Sequence, residues 1–433
     1  MTTSDAVEFT HTASLTGQND SVKTHVRTRV LDTLAAITGG YQMSGTAAIR
    51  GFARERHTAN AATILDGSHE SGSVPEVVLA NATAANKLDI DDGHRQVKGH
   101  PAAVVVPAAL AAAEAEAKTI GAFLDAVYVG YEVAVRTGLA IHETDGVYTG
   151  TGSWGAVGAA AAVARLRGLT AKKTANALGA AEYHAPRTPI MRGVEKPGMT
   201  KDGIGWGSYA GVTAIELARR GFTASGTVFD DERVTRSASL GDTHHTTRGY
   251  LKPYPCCRWA HPGIDAVLEL RREAQIDPSA VVAVNVRTFS EATNLDTRNP
   301  STVNEAEYSY PYPVAAALVR GKFTAEELKH SARTNDEILQ VAEKTNLVAD
   351  ETIDARFPDE CLARVTIEQD GRVHESDLTR PRGAQNRPLD TAAQWEKVER
   401  LCHPMISATE LRDVQHALED RSNSITALIA PWQ

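Results

Sequence analysis

The amino-acid sequence predicts a mainly α protein: a large all-helical domain over residues 1–271, completed by residues 386–433, and a smaller α+β domain over residues 272–385. Three observations lead there. Apolar residues recur at helical spacing through the first 270 positions, with almost no period-two alternation. Aromatic residues make up only 6% of the chain while alanine is abundant, which suits closely packed helices better than a β-sandwich. Near residue 272 the period changes, and Val282, Val284 and Val286 alternate with small or polar neighbours.

In order along the chain, Val22, Val26, Val30 and Leu34 form one helix face, which the pair Gly39-Gly40 is expected to close. Helical texture returns in Ala102–Ala117, Phe123–Leu139 and Gly155–Leu166. The last stops at Gly168, and Thr170 then caps the next helix. Trp206–Arg220 is amphipathic and ends at Gly221. In the smaller domain, Leu362–Ile367 has strand composition, and Asp370-Gly371 between Ile367 and Val373 is a hairpin signal. Helical stretches are expected at Pro313–Leu318 and Glu326–Lys344, and the chain is helical again from Asp390.

The composition narrows the function. Across 433 residues, 45 Lys+Arg face 54 Asp+Glu, a net charge of −9. An acidic chain of pI near 5.9 lacks the basic face that nucleic acid requires, so an anionic substrate needs a local cluster of cations. Four cysteines, with Cys256 and Cys257 adjacent and no C-x-x-C pair, give neither a disulfide framework nor a zinc spacing. Met1–Asp5 has no basic or apolar signal-like region, and no apolar run is long enough for a bilayer. A reduced, cytoplasmic protein without membrane association is expected.

Four segments concentrate chemistry. Asp89-Ile-Asp91-Asp92-Gly93-His94-Arg95 with Gly99-His100-Pro101 gathers carboxylates, imidazoles and a guanidinium ahead of an alanine-rich helix, a natural place for an anion. Its spacing fits no zinc or calcium pattern, so no metal is expected. Aspartate pairing should keep His94 or His100 charged. Gly150-Thr-Gly152-Ser-Trp-Gly155 matches G-x-G-x-x-G, but no strand precedes it and no acid follows at the right distance. Close helix packing explains it better than a dinucleotide, and Tyr148 stands at its edge. Lys201 lies in a glycine-rich turn before a helix, where the dipole disfavours its charge and suits it to accept protons. Lys252-Pro-Tyr-Pro-Cys256-Cys257-Arg258-Trp-Ala-His261 is a rigid loop in which Arg258 can clamp a carboxylate bidentately. Cys257 with His261 at i+4 leaves a thiol hydrolase open, as does a non-catalytic small-acid binder.

Together with Val30-Leu-Asp-Thr-Leu34, Tyr308-Ser-Tyr-Pro-Tyr312 and Arg382-Gly-Ala-Gln-Asn-Arg-Pro388, these segments resemble the MmgE/PrpD family in nearly the whole chain and in the family's order. That family includes 2-methylcitrate dehydratase, cis-aconitate decarboxylase and iminodisuccinate epimerase. The resemblance implies a lid-like small domain closing over a cleft, a homodimer, a small polycarboxylate substrate, and no metal or organic cofactor. Dehydratase and decarboxylase members carry a histidine where this chain has Tyr148-Thr149, and Lys-Arg-Leu-His where it reads Lys201-Asp-Gly-Ile204. The pattern looks more like the epimerase branch, which implies Tyr148 and Lys201 as the proton-handling pair. Asp91, His94, Arg95, His100, Arg258, His261 and Tyr312 are the expected substrate-binding residues. The expected function is epimerase or isomerase chemistry α to a carboxylate, with a dehydratase or decarboxylase lyase as the alternative.

Overall fold

The computed structural model describes residues 1–56, 58–235 and 240–433. Its fold is mainly α, with a smaller α+β portion, as the sequence predicts. The centre of the large domain is built from the helices Val74–Ala85, Pro101–Ala115, Ile120–Asp145, Gly152–Leu166 and Ile204–Arg219. Their contact faces are alanine and glycine, so backbones cross closely. A Cβ on Gly158 would stand 2.4 Å from the Gly130 carbonyl oxygen of the neighbouring helix. Glycine forgoes helix propensity here in exchange for dispersion contacts along two long helices.

The same trade corrects one boundary. Gly39-Gly40 do not close the first long helix, which runs Asp20–Tyr41 straight through them. A Cβ on Gly40 would lie 2.0 Å from the Ala84 oxygen, so these glycines serve a helix crossing, not a stop. Elsewhere the caps are where the sequence puts them. Thr170 accepts from the Lys173 amide, and Gly168 takes a left-handed φ of 59°.

The small domain carries a four-stranded sheet in the order Thr345–Ala349, Val281–Thr288, Ala363–Gln369, Arg372–Glu375. The first pair is parallel and the others antiparallel; Asp370 and Gly371 form the hairpin with φ of 52° and 72°. Val284 and Val286 are fully buried on one face, as alternation requires, while Val282, of the same parity, is exposed because the register shifts between Val281 and Ala283. The helix expected over Glu326–Lys344 is broken instead into Ala325–Leu328, His330–Arg333 and Asp336–Glu343, because Asn335 caps a new start by accepting from the Ile338 amide. The helix His261–Glu273 packs on strand Ala363–Gln369 and on helix Pro311–Arg320.

The C-terminal helices return to the large domain. Thr391–Cys402 lies on Asp20–Tyr41, where buried Lys397 pairs with Asp32 at 2.5 Å. The Trp432 indole donates to Thr38 Oγ1 at 3.0 Å. Among the described residues no helix is long and apolar enough to cross a membrane, and all four cysteines are free.

Candidate active site

Two connected cavities lie where the domains meet. A bowl of about 570 Å³ adjoins a smaller, inner pocket of about 70 Å³, and Arg95, Tyr250, Arg258 and Cys361 line both. The helical domain contributes the 89–100 and 250–258 loops; the small domain contributes Phe357–Cys361 and Pro381. The inner pocket therefore has room for the reacting end of a small molecule, and the bowl for the rest.

The pocket floor is a buried ionic network. Between residues 86 and 100 the chain cannot be helical throughout: Asp89 and Lys98 hold left-handed φ of 47° and 46°. Such non-glycine conformations carry about 1–3 kcal/mol of strain each, held in place by their surroundings. The result brings Asp89, Asp91 and His100 together. His100 Nδ1 donates to the Asp92 carbonyl at 2.7 Å and lies 3.2 Å from Asp91 Oδ2, while its Nε2 is 3.5 Å from Asp89 Oδ1 and 3.9 Å from Asp202 Oδ2. Burial pulls the imidazole down, but the Asp91 charge and hydrogen bond outweigh it and lift His100 to about 9. His100 is thus a charged donor at neutral pH.

Lys252 completes the floor, with Nζ 2.7 Å from Asp89 Oδ1. It is fully buried, yet Asp89 raises its pKa above the ordinary lysine value despite that burial. An ammonium has three donors. Asp89 is its one ion-pair partner among the described residues, so donors remain for a ligand.

The neck is different in kind. Arg258 spends its N–H groups on the carbonyls of Arg382 (2.7 Å) and Pro381 (3.3 Å), and its guanidinium stacks 4.5 Å from the centre of the Tyr250 ring. Arg95 donates to Cys361 Sγ and to the Pro358 carbonyl. Lys98 stands over the rings of Tyr148 and Phe357, at 3.8 and 4.7 Å. Among the described residues none of these three cations has a carboxylate within ion-pair distance. They are oriented by neutral acceptors and rings, which leaves their charge available to an anion.

The expected site residues divide accordingly. His100, Arg95 and Arg258 line the inner pocket. Asp91 sits behind His100, held by the Asn86 amide at 2.9 Å, and acts on the imidazole. His94 faces the bowl, but burial and the neighbouring His245 push its pKa well down, so the charge expected of it belongs to His100 alone. His261 is fully buried behind Arg258. Its Nδ1 accepts from Arg258 Nη1 at 3.2 Å and its Nε2 donates to the Cys256 carbonyl, so it orients the guanidinium as a neutral ring. It does not engage the Cys257 thiol, which burial pushes up to about 12, a poor state for a nucleophile.

Three residues stand elsewhere than expected. Tyr312, inside the helix Pro311–Arg320, points into the small domain and donates to the Glu327 carbonyl at 2.5 Å. Tyr308, just before that helix, lines the inner pocket instead. Tyr148 is half-buried against His142 and capped by the Lys98 ammonium, so Lys98 and not the phenol borders the pocket. Lys201 also turns away. Its left-handed φ of 38° sends the side chain to Glu307 Oε2 (2.8 Å) and the carbonyls of Asn86 and Lys87 (2.7 and 2.6 Å), beside a groove lined by Phe52 and Trp206. Asp202 is the residue of that turn which faces the pocket.

The two other glycine-rich or helix-start expectations resolve locally. The N-terminus of Pro101–Ala115 is occupied by the protein's own Asp92, whose Oδ1 accepts the Ala102 amide at 3.0 Å. Gly152 and Gly207 pack backbone on backbone; a Cβ on Gly207 would lie 2.4 Å from Gly152 Cα. The glycine motif therefore begins the helix Gly152–Leu166 and serves packing.

Sequence reasoning passed over Lys98, Lys252, Tyr308 and Asp202 as site residues. Lys252 carried a signal: a lysine locked between apolar and proline neighbours is poorly placed for solvent. Tyr308 carried one too, since Pro311 at the helix start separates it from the helical register of Tyr312.

This helical domain, its sheet-bearing companion and the cation-lined cleft between them belong to one enzyme family. The MmgE/PrpD N-terminal domain matches residues 4–246 and the MmgE/PrpD C-terminal domain residues 254–420, so the chain is a member of the MmgE/PrpD family. Among its relatives, the cis-aconitate decarboxylase-like protein oryM of Aspergillus oryzae is 26% identical over 421 residues, spanning 87% of this chain and 82% of that protein. A cis-aconitate decarboxylase of Aspergillus terreus is 24% identical over 394 residues, spanning 81% of this chain and 79% of its own length.

Proposed function

We propose that this protein is a cofactor-independent enzyme that forms and quenches a carbanion α to a carboxylate of a small di- or tricarboxylate. Returning the proton, as an epimerase or isomerase of the iminodisuccinate type does, is the reaction we assign first. The observation that carries the reading is the charge layout. Around the inner pocket, among the described residues, Arg95, Lys98, His100, Lys252 and Arg258 stand against Asp89 and Asp202 in the wall and Asp91 behind His100, an excess of two positive charges that suits a dianion.

The chemistry needs that layout. When the C–H bond breaks, its electron pair moves into the adjacent carboxylate and creates a dianionic enediolate. Fixed cations in a confined site stabilise it more than they stabilise the ground state. In this reading Arg258 and Arg95 hold carboxylates at the neck, while the unspent donors of Lys252 and the charged His100 meet the enediolate oxygens. Tyr148 and Lys201 are kept from the reacting carbon by Lys98 and Glu307, and the proton is not routed through them. The enzyme is taken to act as a cytoplasmic homodimer, as the cysteine usage and the family resemblance lead us to expect.

A lyase is the second reading, and the names of the Aspergillus relatives favour it. Decarboxylation reaches the same carbanion by losing CO₂ in place of a proton. Proton NMR of small di- and tricarboxylates in heavy water separates the two. Deuterium at the α carbon with the carbon skeleton intact supports reversible proton transfer, and inversion at that carbon makes it epimerisation; alkene formation or CO₂ release supports the lyase, and inertness towards every acid tested overturns both.

A further inference from the structure

We infer that Asp202 is the base that takes the hydrogen from the substrate carbon, an assignment that rests on the proton-transfer reading above. The balance is simple. The C–H bond breaks, the proton goes to an Asp202 carboxylate oxygen, and the electron pair goes into the substrate carboxylate, whose oxygens face the cations. Return of the proton on the same face regenerates the substrate and restores Asp202; inversion takes a proton from solvent on the opposite face, after which Asp202 releases its own to solvent.

Three observations carry the assignment. First, the inner pocket has two carboxylates in its wall, Asp89 and Asp202, and only Asp89 is in contact with a dedicated cation, Lys252 at 2.7 Å. Asp202 receives the Thr151 hydroxyl on Oδ2 at 3.2 Å, and its nearest cation is His100 at 3.9 Å, an imidazole already committed to Asp91. It is therefore an acceptor with capacity left over, 8% exposed, in a pocket whose wall also carries the donors Arg95, Lys98, His100, Lys252 and Arg258. Second, five other titratable groups of that wall are in the wrong state for a base. His100 and Lys252 are held charged by their aspartates, and burial keeps the proton on Cys257, Tyr250 and Tyr308. Burial raises Asp202 itself, which strengthens it as a proton acceptor.

Third, the side chain is aimed by backbone that cannot drift. The Asp202 carbonyl accepts the Gly152 amide at 2.9 Å, and a Cβ on Gly150 would lie 2.8 Å from the same oxygen. The left-handed Lys201 next to it sends the lysine to Glu307 and the aspartate to the pocket. Asp202 and His100 are also too close to bracket a carbon, since near-attack contacts of about 3–3.5 Å on each side would need about 6–7 Å between them, against the 3.9 Å found. They serve one face: Asp202 moves the proton, and His100 steadies the charge that forms.

The test uses the full-length protein with succinate, malate, aspartate and iminodisuccinate in heavy water, reading α-deuteration by NMR and binding by calorimetry. Asp202→Asn should lose exchange by at least 100-fold on the acid that the wild type deuterates, with its dissociation constant held within about threefold. Asp202→Ser, smaller and also uncharged, repeats the measurement should the amide perturb folding, and thermal unfolding is followed for each. Exchange within tenfold of wild type in either folded variant overturns the assignment and leaves the proton-transfer reading standing. A wild type that deuterates none of the four overturns that reading, and Asp202 falls with it.

Discussion

Two buried lysines, each paired with a carboxylate at nearly the same distance, stand on opposite sides of one wall of this protein. Lys201 meets Glu307 at 2.8 Å and Lys252 meets Asp89 at 2.7 Å. What separates them is the count of donors left over. Lys201 spends all three: one on Glu307 and two on the carbonyls of Asn86 and Lys87. Lys252 spends one and borders the inner pocket with the rest. Burial alone does not make a lysine functional. A satisfied ammonium is a structural strut, and an unsatisfied one beside a cavity is a ligand site.

Removing each lysine in turn is the strongest way to break this comparison. Lys201→Met and Lys252→Met should each lower unfolding free energy by about 3–5 kcal/mol, because a buried carboxylate is left without its partner. Denaturant titration reads that loss. The two should then diverge: folded Lys201→Met is expected to keep turnover within tenfold of wild type, while folded Lys252→Met loses at least 100-fold. Adding Glu307→Gln to Lys201→Met should recover much of the lost stability. A folded Lys201→Met that is inactive would restore the role that the sequence suggested for it.

The next test concerns His100, which ties the two aspartates of the floor together. Its pKa is about 9 in the fold against about 6.5 for an unfolded histidine. A raised base contributes its full stabilisation below pH 6.5 and loses it as the pH climbs through 9, by linkage an effect on the order of 3 kcal/mol. Stability should therefore fall between pH 6.5 and 9, and turnover should fall on an alkaline limb near 9. His100→Asn should flatten the stability profile in that window and lower turnover by 10²–10⁴-fold or so. Persistence of the alkaline limb in the variant would move the proton to another group.

Arg258→Lys gives a smaller effect, on the neck instead of the floor. Charge is conserved, but lysine cannot hold the Arg382 and Pro381 carbonyls while presenting a planar fork. A lost hydrogen bond to a charged group amounts to about 1.5–3 kcal/mol, so the dissociation constant should rise roughly 10- to 150-fold. An unchanged constant by calorimetry would place Arg258 outside the substrate site.

Most helices of the large domain were legible in the sequence because their apolar faces recur with helical period over many residues, and the caps at Gly168 and Thr170 follow from local backbone chemistry. The Gly39-Gly40 stop was misread because glycine ends a helix and permits a close crossing with the same letter; only Ala84, 44 positions after Gly40, decides between them. The site was legible where one loop holds both partners, as in the Asp91–His100 pair. It was not legible where direction mattered. Nothing local announces that Lys201 takes a left-handed φ, yet that single dihedral exchanges the destinations of Lys201 and Asp202. Tyr308 and Tyr312 differ for a comparable reason: the helix that starts at Pro311 rotates one into the core and leaves the other at the cleft.

The smallest effect expected is none at all, on treatment with a chelator. Asp89, Asp91 and His100 bring potential ligand atoms within 4.8 Å of one another, a geometry that could hold a divalent ion. Two features of the same residues oppose it. The Lys252 ammonium already stands 2.7 Å from Asp89 Oδ1, so an ion would have to displace a buried cation or share its carboxylate at close range. His100, lifted to about 9, carries a proton on both nitrogens at neutral pH, and a metal would have to remove one. Lys252 and His100 thus supply the positive charge that an ion would bring, and the floor is neutralised without one. Turnover should be unchanged after exhaustive chelation, with no stoichiometric metal by elemental analysis. The comparison sharpens in Lys252→Met, where the cation is gone: that variant is the one expected to gain affinity for a divalent ion, measurable by calorimetry. A wild type that loses turnover on chelation and regains it with added metal would mean that Lys252 moves aside, and that the unspent donors assigned to it belong to a different state of the enzyme.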